Sequence, residues 1–142
     1  MPYYPHKTKT QAFAEFGART KNKVNEYSAI AEDGSVVLEC WYQHIKSLPD
    51  QSWRYQIDNL SSWSNSHGKE LMVNHLQLAA DEGRRIRLII AKLKKNPNAD
   101  IAGVDASNDA KDIITYHDRV GTVIELTKNN LIIDFRKQNK PS

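Results

Sequence analysis

The chain has 142 residues, 39% hydrophobic, 26% charged and 8% aromatic, and its 20 Lys and Arg against 17 Asp and Glu leave a mildly basic formal charge of +3. That length suits one domain, 1–142, with a core large enough to stand without a disulfide or a metal. The lone Cys40 excludes an internal disulfide and a cysteine-rich zinc site, and no segment approaches the ~20 apolar residues that span a bilayer, so a cytoplasmic protein with no membrane contact is expected.

Residues 1–7, with Pro2, Tyr3, Tyr4 and Pro5, read as an extended arm lacking the apolar run of a secretory signal. Thr8 and Gln11 then have the spacing of a capping box, with Phe13 and Phe16 on one face and Gly17 at the stop, which predicts a short helix over 9–16. A polar, basic loop holding Arg19, Lys21 and Lys23 follows. Residues 27–31 and 36–42 read as strands of a hairpin joined through Asp33 and Gly34, where both turn positions tolerate positive φ. The stretch 44–67 is irregular and rich in aromatic residues, which fits a functional loop or a concealed strand, and the alternation over 53–57 suggests one short strand inside it.

Residues 69–82 predict the long helix, with Leu71, Met72, His75, Leu76, Leu78 and Ala79 on one face and Gly83 ending it. A β-rich run over 84–93 is broken near Pro97, 98–112 reads as a loop or short helical turn, and 119–126 with 131–136 reads as a final hairpin, followed by a tail over 138–142. Strands and helices do not alternate regularly. The expected class is therefore α+β: a curved, mostly antiparallel sheet, barrel-like at the limit, with one long helix and a short N-terminal one.

No phosphate-binding glycine loop, dinucleotide fingerprint, zinc-protease motif or serine-nucleophile elbow is present, and the five histidines show no ligand spacing. His75, on an apolar helix face, reads as a hydrogen-bonded core imidazole. A restriction-type nuclease needs an acid followed by a D/E-x-K pair, but the segment from Asp134 to Lys137 places Arg136 where that lysine would stand. No catalytic residue, metal ligand or cofactor is assigned, and the balance leans away from an enzyme.

Two features point to binding. Arg84, Arg85, Arg87, Lys92, Lys94 and Lys95 form a run of cations with no intervening acid, and Arg19, Lys21 and Lys23 form a second group. Such clusters neutralise phosphates, although strand ends also need solvating charges. Trp41, Tyr42, Trp53, Tyr55 and Trp63 hold all three tryptophans of the chain. Trp41, on an apolar strand, reads as core. Trp53, Tyr55 and Trp63, in polar surroundings, read equally as core or as surfaces on which a base would stack.

The segment carrying Phe16-Gly17, Asn22, Ser28-Ala29, Asp33-Gly34, Val36-Val37-Leu38 and Trp41 resembles a family of small, mostly uncharacterised phage and bacterial proteins. The likeness spans about residues 13–95, and Tyr27 departs from it by standing where the pattern has tryptophan. Related segments accompany restriction-type nucleases, which implies a role in reading DNA or in defence. The leading expectation is a non-enzymatic module that binds nucleic acid, DNA before RNA, reading modified DNA in a restriction or anti-restriction setting. Arg19, Lys21, Lys23, Arg84, Arg85 and Arg87 would hold phosphates, and Trp53, Tyr55 and Trp63 would stack on bases. The alternatives are an interaction or inhibitor domain with a protein partner, for which the aromatic stretch would be the contact patch, and a small metal-dependent hydrolase or nuclease.

Overall fold

A computed structural model describes residues 8–19, 27–63, 66–93 and 111–138. The arm 1–7, Lys21, Lys23, the 98–110 part of the expected loop and the tail past 138 lie outside the described residues. Helix α1 (Lys9–Glu15) starts where the capping box predicts: the Thr8 hydroxyl accepts from the Gln11 N–H at 3.1 Å, and the Gln11 side chain accepts from the Thr8 N–H at 2.9 Å. Gly17, at φ 79, ends that turn of chain. A cap contributes only ~1 kcal/mol, and a helix this short is unstable alone. Burial of Phe13, fully enclosed, holds it in place.

Strands β1 (Ser28–Ile30) and β2 (Val36–Trp41) form the expected antiparallel hairpin. Its connection differs from the predicted two-residue turn. Only Gly34 takes positive φ, at 89°, while the Asp33 carboxylate accepts from the Ser35 N–H at 2.9 Å and closes the loop locally. A 3-10 turn over Tyr42–His44 leads into a strand that sequence patterning did not single out, β3 (Ile45–Ser47). The turn after β3 is closed by the Leu48 N–H donating to the Ser52 carbonyl at 2.8 Å and the Gln51 N–H to the Leu48 carbonyl at 2.9 Å. Gln51 sits at φ 70, in the left-handed region. Strand β4 (Trp53–Ile57) matches the alternation read from the sequence.

Helix α2 (Ser66–Glu82) starts three residues earlier than its periodicity suggested and stops at Gly83. Strands β5 (Ile86–Leu93), β6 (Lys111–Leu126) and β7 (Leu131–Lys137) complete the fold. The predicted start of β6 at 119 and the loop expected up to 112 are corrected: polar Asp112, His117 and Asp118 break the apolar alternation, yet pairing with β5 keeps this half extended.

Among the described residues seven strands make one sheet in the order β1-β2-β5-β6-β7-β4-β3. Only β2 and β5 are parallel; every other neighbouring pair is antiparallel. The sheet is open, with the short β1 and β3 at its edges, so the barrel-like limit is not reached. It is nevertheless curled. The Trp41 N–H on β2 lies 3.4 Å from the Tyr55 hydroxyl on β4, although β5, β6 and β7 separate those strands in the sheet. Bulges at Arg87/Leu88 and at Val123/Glu125 supply bends, as an unpaired extra residue does.

Opposite sides of β2 are covered by different helices. Ser28 stands across from Leu38 and its hydroxyl lies 2.8 Å from His75 Nδ1, which sets α2 on the Leu38 side. Lys9 Nζ lies 3.1 Å from the buried Glu39 carboxylate, which sets α1 on the other. All six residues of β2 are consequently buried.

Among the described glycines, Gly121 leaves the least room for a side chain. A Cβ there would lie 2.6 Å from Phe135 Cε1 and 3.0 Å from Ile133 Cγ2. Gly121→Ala should therefore cost about 1–3 kcal/mol as an overpacking change. Thermal unfolding measures it, and an unchanged midpoint would show that the ring moves aside freely.

Candidate functional site

Residues i and i+2 on a strand share a face. Trp53, Tyr55 and Ile57 therefore share one face, with Tyr55 and Ile57 buried, while their polar neighbours Arg54 and Gln56 lie on the other side. Tyr55 is fully enclosed, and burial pushes its hydroxyl well above the usual range. Trp63, 6% exposed, follows the 3-10 turn over Leu60–Ser62 and packs edge-on against Tyr27 with ring centroids 5.3 Å apart. Neither ring is accessible to a base, which corrects the expectation of three stacking surfaces. Only Trp53, half-buried, faces an opening.

The predicted arginines do not gather around it. Arg84 Nε and Nη2 donate to Glu82 Oε1 at 3.0 and 2.9 Å, and Nη1 donates to the Gly34 carbonyl at 3.1 Å, so this side chain ties the end of α2 to the β1–β2 turn. Arg84 and Arg85 border a separate cavity of about 450 Å³ beside Asp33. Arg87 lies 5.0 Å over the Phe16 ring and donates to the His117 carbonyl at 3.1 Å, securing the end of α1 to β6. Arg19 is exposed just past α1. Among the described residues these guanidinium groups and the three indoles do not share one hollow.

A different set converges on Trp53. The Arg119 guanidinium carbon lies 3.6 Å from the centre of its ring, and Arg119 Nη1 is anchored by the Gln51 carbonyl at 3.0 Å and the Phe135 carbonyl at 3.4 Å. Tyr116 stands nearly perpendicular to the indole, 5.0 Å away at 84°. Partial burial, helped by nearby Asp118, raises the Tyr116 hydroxyl. Both rings line a cleft of about 300 Å³, with Tyr42 as a third aromatic wall and Lys92 Nζ 4.5 Å over the Tyr42 ring. Ile45, Ile90 and Ile114 add aliphatic surface and Ser47 adds a hydroxyl. Tyr42 and Ile114 are each 38% exposed.

The cleft exists because β5 and β6 run on beyond the β7 pairing. Ile90 faces Ile114 and Leu88 faces Tyr116 in the β5–β6 register, whereas β7 joins β6 only from Arg119 onward. Among the described residues no wall residue is acidic; Asp112 stands opposite Lys92 in the register but is not on the wall. A larger cavity of about 500 Å³ lies between α2 and the β6–β7 turn, but its wall mixes Glu70 with Lys69 and Lys128. Sequence reading found Trp53 and noted Tyr42 and Lys92, but missed Tyr116 and Arg119, whose approach depends on the β5–β6–β7 register.

The nuclease-like acid has a structural role. Arg54 Nε and Nη2 donate to Asp134 Oδ1 and Oδ2 at 2.7 and 2.9 Å across the β4–β7 pair. Among the described residues no three His, Cys, Asp or Glu side chains are placed to hold a metal ion, and no helix is long and apolar enough to cross a membrane. No family model matches the chain, and no curated protein or solved structure matches it either.

The hydrogen bond from Arg54 holds the Asp134 carboxyl below the usual value of about 3.9. A depressed folded value gives stability that is present above the ordinary carboxylate range and lost as pH falls through the folded value. Asp33 and Asp50 are also lowered, by the Ser35 N–H and by the Ser52 hydroxyl respectively, and contribute in the same direction. Asp134→Asn should therefore show a shallower fall of unfolding temperature below about pH 4 than the parent protein. Identical slopes would show that this ion pair gives no pH-dependent stability.

Proposed function

We propose that the protein is a non-enzymatic nucleic-acid-binding module whose contact surface is the Trp53 cleft. One observation carries this reading: the rings of Tyr42, Trp53 and Tyr116 line a single opening with Lys92 over Tyr42, the buried Arg119 stacks on Trp53 from outside that lining, and no described residue of the wall is a carboxylate. Rings offer faces to bases regardless of sequence, and a cation such as Lys92 offsets the phosphate charge beside them. DNA as the preferred partner, and a restriction or anti-restriction setting, rest on the sequence resemblance alone. Arg85 and Arg19, both exposed, remain available for phosphates at the periphery of the molecule.

Titrating labelled single-stranded and duplex DNA at about 50 mM and about 200 mM salt tests the reading, since phosphate neutralisation makes affinity fall as salt rises. Affinity should drop across that range, and Lys92→Ala should reduce the slope of log affinity against log salt by about 1. Absence of binding by either DNA form at the lower salt would overturn the proposal.

A further inference from the structure

The geometry points to a more specific occupant of the cleft. We infer that it takes one unpaired nucleobase, so that the protein selects single-stranded or locally unstacked DNA over intact duplex; this deepens the reading above and rests on it. Size is the first argument. About 300 Å³ lies at the lower end of the range for small-molecule sites, room for a base with its sugar and far too little for a duplex. A paired base hides both faces in the stack, so only an unpaired or extruded one can present a face to Trp53 or Tyr42.

The wall chemistry separates a base from the other ligand that aromatic pockets select, a quaternary or methylated ammonium. Such a cation needs ring faces free of positive charge. Here Lys92 on the wall already sits over Tyr42, and Arg119, buried and off the wall, already stacks on Trp53. A second cation would meet like charge on two of the three rings, whereas a flat, neutral base attached to an anionic phosphate meets complementary charge. Ser47 offers a hydroxyl to the edge of the base, and the isoleucine side chains cover apolar ring atoms.

The indole is also fixed before any ligand arrives. Arg119 stacks on it while bonded to two backbone carbonyls, and Tyr116 abuts it at right angles. A ring held this way loses little freedom on binding, so more of the stacking energy appears as affinity.

Tryptophan emission offers a direct readout, because Trp41 and Trp63 are each 6% exposed and Trp53 is the indole on the cleft wall. A short single-stranded deoxyoligonucleotide is titrated at low salt beside the same sequence annealed to its complement. The single strand should quench the emission and bind about tenfold or more tightly than the duplex. Trp53→Ala should abolish the quenching. Tyr42→Ala, at an exposed position that tolerates truncation, should lower single-strand affinity by about fivefold to 100-fold, the reach of one base–aromatic stack. Equal, salt-dependent binding of both forms with unchanged emission would overturn the base pocket while leaving the nucleic-acid reading intact. Binding of neither form would remove both.

Discussion

The parallel register of Val36–Trp41 against Ile86–Ala91 is the join on which the molecule depends. On one side of it hangs the β1–β2 hairpin, and on the other the antiparallel run of β5, β6, β7, β4 and β3. A parallel pair cannot be closed by a tight turn and needs a long crossover. In this chain the crossover leaves β2, builds β3 and β4 at the far edge of the sheet, and returns through α2. Both faces of the join are then roofed, one by α2 and the other by α1, which explains why β2 is apolar on both sides except at Glu39. That carboxylate is 1% exposed and is met by Lys9 from α1. The short helix is thus tied to β2 by charge as well as held by Phe13.

Much of this architecture was legible in the amino-acid order because local signals and final structure agree. The capping box of α1, the Asp33–Gly34 loop, the alternation of β4 and the apolar stripe of α2 each encode one element through nearby residues. The losses share a cause. β3 has three residues, too few to display a period, and the first half of β6 carries polar residues at positions that only pairing with β5 makes extended. Nothing local distinguishes a parallel β2–β5 neighbour from an antiparallel one.

The cleft was harder to read for a related reason. Polar neighbours around Tyr55 and Trp63 suggested exposure, but on a strand the neighbours at i±1 report on the opposite face. Applying the two-residue period would have turned Tyr55 inward together with Ile57. The arginines after α2 looked like phosphate ligands because their number was visible and their partners were not: Glu82, the Gly34 carbonyl, the Phe16 ring and the His117 carbonyl occupy Arg84 and Arg87. Conversely, Arg119 stood alone in the sequence and becomes important through the turn that ends at Ser52.

That turn couples distant parts of the cleft. Gln51 holds a backbone conformation that L-residues other than asparagine and aspartate seldom adopt, and its carbonyl is a hydrogen-bond acceptor for the guanidinium lying on the indole. Peptide plane, cation and ring therefore move as one linkage. An exchange at this outward-facing position that relaxes the torsion would rotate the carbonyl, drag the cation and re-tilt the aromatic wall. Evolution could in this way reshape the cleft without altering any side chain that lines it.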